Sequence, residues 1–194
     1  MKRFIIFFLL ALAAVARAQT EGPRTQSYQE VERGLWLRTT FGMTLSLTNH
    51  FGTGRSSSVW PPGPMVNLEL GYDLGQVASL NISLLGEQLV GSRQVGERGD
   101  IPNDAAVMGL LAGGRFNLVT TKRMALFVKA QAGYAMAFPA SSELKNGFLV
   151  AGGAGVEYAT ALRHFFIGLE TSAQYLIASS GLALTVTPMI RYTF

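Results

Sequence analysis

From Leu35 onward, apolar and polar residues alternate with a period of two rather than 3.6, the pattern of strands with two unlike faces. In the first segment Leu35, Leu37, Thr39, Phe41, Met43, Leu45 and Leu47 share one face, and Trp36, Arg38, Thr40, Gly42, Thr44, Ser46 and Thr48 the other. The second sets Val66, Leu68, Leu70, Tyr72 and Leu74 against Asn67, Glu69, Gly71 and Asp73. In the third, Leu80, Ile82 and Leu84 oppose Asn81, Ser83 and Glu87, and Leu85 breaks the pattern. The fourth opposes Met108, Leu110, Ala112, Phe116 and Leu118 to Gly109, Gly113, Arg115 and Asn117. Four more follow, carrying Lys129, Glu157, Glu170 and Arg191 on their polar faces, so the chain holds eight segments. An even number of alternating segments predicts an all-β, eight-stranded antiparallel up-and-down barrel over residues 34–194.

Several segments run 11 to 13 residues, whereas ordinary strands cluster near roughly 5–6 and a tilted membrane strand needs about 9–11. Connections 49–63, 90–105 and 139–147 are long and rich in Gly, Ser, Pro and charge. Connections 75–77, 119–124 and 160–164 are short, and 178–181, on the long-loop side, is a short exception. Long loops on one side and short turns on the other characterise outer-membrane barrels. A soluble barrel would turn its apolar face inward around a ligand. Aromatic residues argue for the opposite sense, because Tyr72, Phe116, Tyr158, Phe165, Tyr192 and Phe194 fall towards one rim. Phe51, Trp60, Tyr134, Phe138, Phe148 and Tyr175 fall towards the other. Two such girdles suit the headgroup layers of a bilayer. The expected orientation has both termini in the periplasm.

Composition refines this picture. Met1, Lys2 and Arg3 precede an apolar run over residues 4–15, and Ala16-Arg17-Ala18 is a small-x-small cleavage site before Gln19. Twelve residues make a helix of about 18 Å, short of the roughly 30 Å hydrocarbon core, so residues 1–18 read as a removable secretory signal. With Lys2, Arg3 and Arg17 gone, 13 of 16 basic residues remain against 12 acidic, and the net charge falls from +4 to +1. That balance leaves no basic stripe for nucleic acid. Residues 19–33 are polar, carry both signs of charge and read as a periplasmic N-terminal arm.

The candidate site is the polar face itself. Arg38, Arg115, Lys129 and Arg191 against Glu69, Asp73, Glu87, Glu157 and Glu170 would form a lumen charge network, since an unpaired buried charge is costly. Eight strands leave an interior just wide enough for side chains, and the many polar-face glycines relieve crowding there. No catalytic, metal or cofactor site is expected. Cysteine is absent, the two histidines, His50 and His164, share no ligand spacing, and Gly152, Gly153 and Gly155 lie in a strand with no helix after them. A His50 triad with Ser92 and Asp100 or Asp104 is the one conceivable hydrolytic arrangement, of the kind a lipid-modifying enzyme would use.

The last segment places Leu184, Val186, Ile190, Tyr192 and Phe194 on one face and resembles the C-terminal signature of bacterial outer-membrane β-barrels. The chain as a whole resembles their small eight-stranded group, similar to the OmpA membrane domain and OmpX. The resemblance implies outer-membrane lipids as surroundings and recognition of Tyr192 and Phe194 by the barrel-assembly machinery. Pro188 departs from it and should produce a bulge or local irregularity. Residues 28–38 also resemble the start of small barrels from gliding myxobacteria, some of them subunits of motility complexes. That implies envelope protein partners and a non-enzymatic role as anchor or subunit of an envelope assembly.

Overall fold

Each alternating segment becomes one strand, because branched and aromatic side chains fit a pleated surface whose faces meet different surroundings. A computed structural model describes residues 34–48, 63–90, 104–138, 145–162 and 164–194. The strands are β1 (Leu35–Ser46), β2 (Gly63–Asp73), β3 (Ala78–Val90), β4 (Asp104–Thr120), β5 (Met124–Phe138), β6 (Gly147–Ala159), β7 (Phe165–Leu176) and β8 (Gly181–Thr193). Each is antiparallel to the next, and β8 pairs with β1 to close the barrel. Closure leaves no strand edge with unpaired backbone groups, the condition for crossing hydrocarbon with strands. The expected signal, Ala16, Ala18 and Gln19 included, and the arm over residues 19–33 lie outside the described residues.

Burial is inverted relative to a water-soluble domain. Leu68, Leu84, Leu110, Ile82 and Val186 are exposed, while Arg38, Glu69, Arg115 and Glu157 are buried. Tyr72, Phe116, Tyr158, Phe165 and Phe194 are exposed towards the end with the short connections. Tyr134, Phe138, Phe148 and Tyr175 are exposed towards the other end, where Tyr134 and Phe148 meet edge to face at 5.7 Å.

Three local details differ from the alternation read along the chain. Leu85 obeys strand parity after all: it faces inward and is buried with Met65, Val107 and Leu111. β4 is longer than its alternating core, and a register shift between Asn117 and Val119 puts Leu118 and Val119 both on the exposed surface. At Pro188 the β1–β8 ladder pauses between the Thr40–Met189 and Met43–Val186 pairs and resumes in the same register. The irregularity is therefore a gap in hydrogen bonding, not a bulge. The Leu169–Pro188 pairing on the other side is kept, so the missing N–H faces β1.

Glycine has a steric role where large rings turn inward. A Cβ at Gly71 would overlap the Trp36 ring, and one at Gly155 would lie 2.5 Å from the Phe127 ring. Gly152 faces outward, with only the Lys129 carbonyl oxygen, 3.9 Å away, near its Cβ position. Gly71→Ala should therefore cost about 1–3 kcal/mol, the penalty of overpacking, whereas Gly152→Ala should be near neutral. Denaturant titration followed by tryptophan fluorescence will separate them, and equal midpoints would mean Trp36 is not wedged over Gly71.

Candidate functional site

The inward side chains stack in tiers along the lumen. The tier nearest the short connections contains Trp36, Asp73, Arg115, Phe127, Glu157, Phe166 and Arg191. Glu157 accepts from Arg115 Nη2 at 2.6 Å and pairs with Arg191 Nε at 2.9 Å. Arg191 also reaches Asp73 at 3.4 Å, and Asp73 accepts from the Trp36 indole N–H at 3.0 Å. The guanidinium of Arg115 lies 4.0 Å from the Phe127 ring centroid, and that of Arg191 4.1 Å from the Phe166 centroid. These rings cover the flat faces of the cations while the carboxylates take their edges.

The next tier is Arg38, Glu69, Lys129 and Glu170. Arg38 donates to Glu69 and approaches Glu170 at 3.3 Å. Lys129 Nζ lies 2.7 Å from Glu69 and 2.5 Å from Glu170. Asn67 donates to Glu69 at 2.8 Å. Register explains why some contacts follow the ladder and others cross the lumen, since Arg38 has Glu69 directly opposite it on β2. Arg38 stands opposite Arg191 on β8, and Arg115 opposite Lys129 on β5. Like charges placed side by side repel. Their relief comes from carboxylates on other strands, notably Glu170 of β7, which meets Lys129 of β5. The two tiers together set Arg38, Lys129, Arg115 and Arg191 against Glu69, Glu170, Glu157 and Asp73, so they carry no net charge.

Glu87 does not join them. It is 4% exposed, its oxygens pair with no cation among the described residues and have only the Thr44 side chain as a polar neighbour, and its cross-strand neighbours are Met65 and Val107. Its strand parity matches that of the other charges, but it lies in the half of β3 towards the long connections, beyond Ser83 and Leu85, and out of their reach. Between the charged and apolar tiers, Gln131 donates to Asn81 at 2.7 Å and Ser172 meets Thr185 at 2.6 Å. A cavity of about 20 Å³ lies here, bordered by Asn67, Lys129, Gln131, Glu170 and Ser172. That is room for a single water. Beyond it, towards the long connections, lies the apolar tier of Met65, Leu85, Val107, Leu111, Leu149 and Leu176.

Tyr192 packs on Phe165 at 5.0 Å and Phe194 at 5.1 Å, and the Phe194 N–H donates to Leu35 O at 2.9 Å, tying the end of β8 to β1. His164 stacks on Tyr192, and its Nδ1 lies 2.9 Å from Thr193 O. His50, Ser92 and Asp100 lie outside the described residues, as does the Asp104 side chain. Among the described residues no cluster of His, Asp and Glu could hold a metal ion. The alternation missed Phe127 and Phe166 as partners of the cations. Both share strand parity with inward residues, Lys129 and Gly168 respectively, and that parity was the available signal.

The family model for outer membrane protein β-barrel domains matches residues 5–181. The chain belongs to that family. Its place is the bacterial outer membrane. Solved structures agree in fold. Neisserial surface protein A superposes with a TM-score of 0.62 at 11% identity, over 83% of this chain and 97% of that one. OprG from Pseudomonas aeruginosa gives 0.57 at 9% identity, over 87% and 100%. Ail, the attachment invasion locus protein of Yersinia pestis, gives 0.54 at 19% identity, over 84% and 100%. No curated protein sequence matches the chain.

Proposed function

We propose that this barrel is a non-enzymatic anchor or subunit of an envelope assembly. The observation that carries the reading is the lumen: paired charges, a polar layer and an apolar tier occupy its described length, and the cavity between the charged and apolar tiers has room for about one water. A filled barrel offers its rims, loops and outer face for work rather than a path through its middle. In this reading the short connections and both termini face the periplasm, the exposed aromatic rings form two girdles, and the barrel-assembly machinery reads Tyr192 and Phe194. The finer assignment to gliding machinery rests on the resemblance of residues 28–38.

The test is co-isolation from native membranes of a source strain carrying a tagged copy. A partner should copurify in constant ratio, and deletion should impair motility or envelope integrity. Recovery of the barrel alone, with both properties unchanged in the deletion, ends the assembly reading. In planar bilayers the purified protein should give no steady unitary conductance, and reproducible open steps would contradict a filled lumen.

A further inference from the structure

The short connections at one rim carry charge of one sign only. Residues 74–77, 121–123 and 160–164 contain Lys122, Arg123 and Arg163 and no acidic residue. The β4–β5 and β6–β7 turns adjoin, since the Ala159 N–H donates to Arg123 O at 2.7 Å. Arg123 Nη1 donates to the Tyr158 hydroxyl at 3.3 Å, which holds the guanidinium at the level of the exposed ring. Met124, Leu162 and Ile167 are exposed apolar side chains around the same place, 49%, 65% and 50% accessible. The Arg123 guanidinium and the Tyr158 phenol thus sit beside exposed apolar side chains, Met124 and Ile167 being the cross-strand neighbours of Tyr158, the combination that a lipid headgroup and its acyl chain require.

We propose that this stretch of rim, with Lys122 and Arg123 as phosphate ligands and Tyr158 positioning Arg123, binds the headgroup of an anionic phospholipid. Acyl chains lie against Met124 and Ile167. A zwitterionic headgroup carries its own amine and gains less from two adjacent cations. The assignment to the phospholipid leaflet rests on the periplasmic orientation above. The lipid preference itself is read in a symmetric system that does not depend on it.

The experiment is native mass spectrometry of the purified full-length protein from micelles with equal phosphatidylglycerol and phosphatidylethanolamine of the same acyl chains. Wild type should retain phosphatidylglycerol preferentially, and Lys122→Gln with Arg123→Gln should reduce that preference by about fivefold per basic side chain removed. Tyr158→Phe, which keeps the ring, should show a smaller loss. Heat-dependent gel mobility confirms that each variant is folded. Equal retention of both lipids by wild type, or an unchanged preference in the folded double variant, overturns the site. Displacement by millimolar inorganic phosphate would mark a small-anion site and overturn the lipid assignment. Impermeant labelling of Ala161→Cys in whole cells tests orientation separately: label taken up from outside removes the leaflet assignment and leaves the lipid preference standing.

Discussion

Arg38→Met should lower the stability of the folded barrel by about 3–5 kcal/mol, the cost of breaking a buried ion pair from one side. Arg38 is fully buried and meets both Glu69 and Glu170. Without it, Lys129 alone faces two carboxylates that hydrocarbon and strand backbone shield from water. Methionine fills much of the arginine volume, so the loss reads charge rather than cavity. The measurement is urea unfolding in vesicles, followed by heat-dependent gel mobility. The double variant Arg38→Met/Glu170→Gln restores one cation to one carboxylate. It should be more stable than Arg38→Met alone by roughly 1–3 kcal/mol, the range seen for residues sharing one network. A single variant within about 1 kcal/mol of wild type would mean that water reaches this tier and screens it.

That tier also marks how far the chain could be read without coordinates. Strand parity placed Arg38, Glu69, Asp73, Arg115, Lys129, Glu157, Glu170 and Arg191 on the inner wall, because a period of two is a one-dimensional property visible in any single segment. Pairing is different. Arg38 has Arg191 opposite it on β8 and Glu69 opposite it on β2, and Glu170 reaches it from β7 across the lumen. Those relations depend on relative register, which long and variable loops conceal. Glu87 shows the same limit: its parity is right and its height is wrong for pairing. Leu85 is hard to read from alternation for a related reason. An apolar residue at an inward position looks like an error of alternation until an apolar tier is seen in the lumen towards the long connections. Pro188 was legible as a missing donor, but the strand that loses the bond was fixed only by β1 and β7 being its neighbours.

Arginine at Leu84 should cost about 2–4 kcal/mol in a bilayer, while arginine at Leu162 should cost about 0–1 kcal/mol, because the penalty for charge on the lipid face depends on depth. Leu84 is the central residue of β3 and points outward between Leu68 and Leu110, 47% accessible. Leu162 lies in the β6–β7 turn and is 65% accessible. If water bathed the exterior, both changes would be surface substitutions of about 0.5 kcal/mol or less. Accessibility alone would even make the turn leucine the less constrained of the two only slightly. Hydrocarbon makes the ranking steep, since at mid-strand the guanidinium must reach past the aromatic rings to find a headgroup, whereas at the turn it is already there. Unfolding midpoints of the two variants in vesicles, compared with the same pair in detergent, separate the causes. A steep ranking identifies lipid as the solvent of the apolar face, and with it the reason that the charges lie inside. Two indistinguishable midpoints would return that face to water and leave the inverted burial of this barrel without a cause.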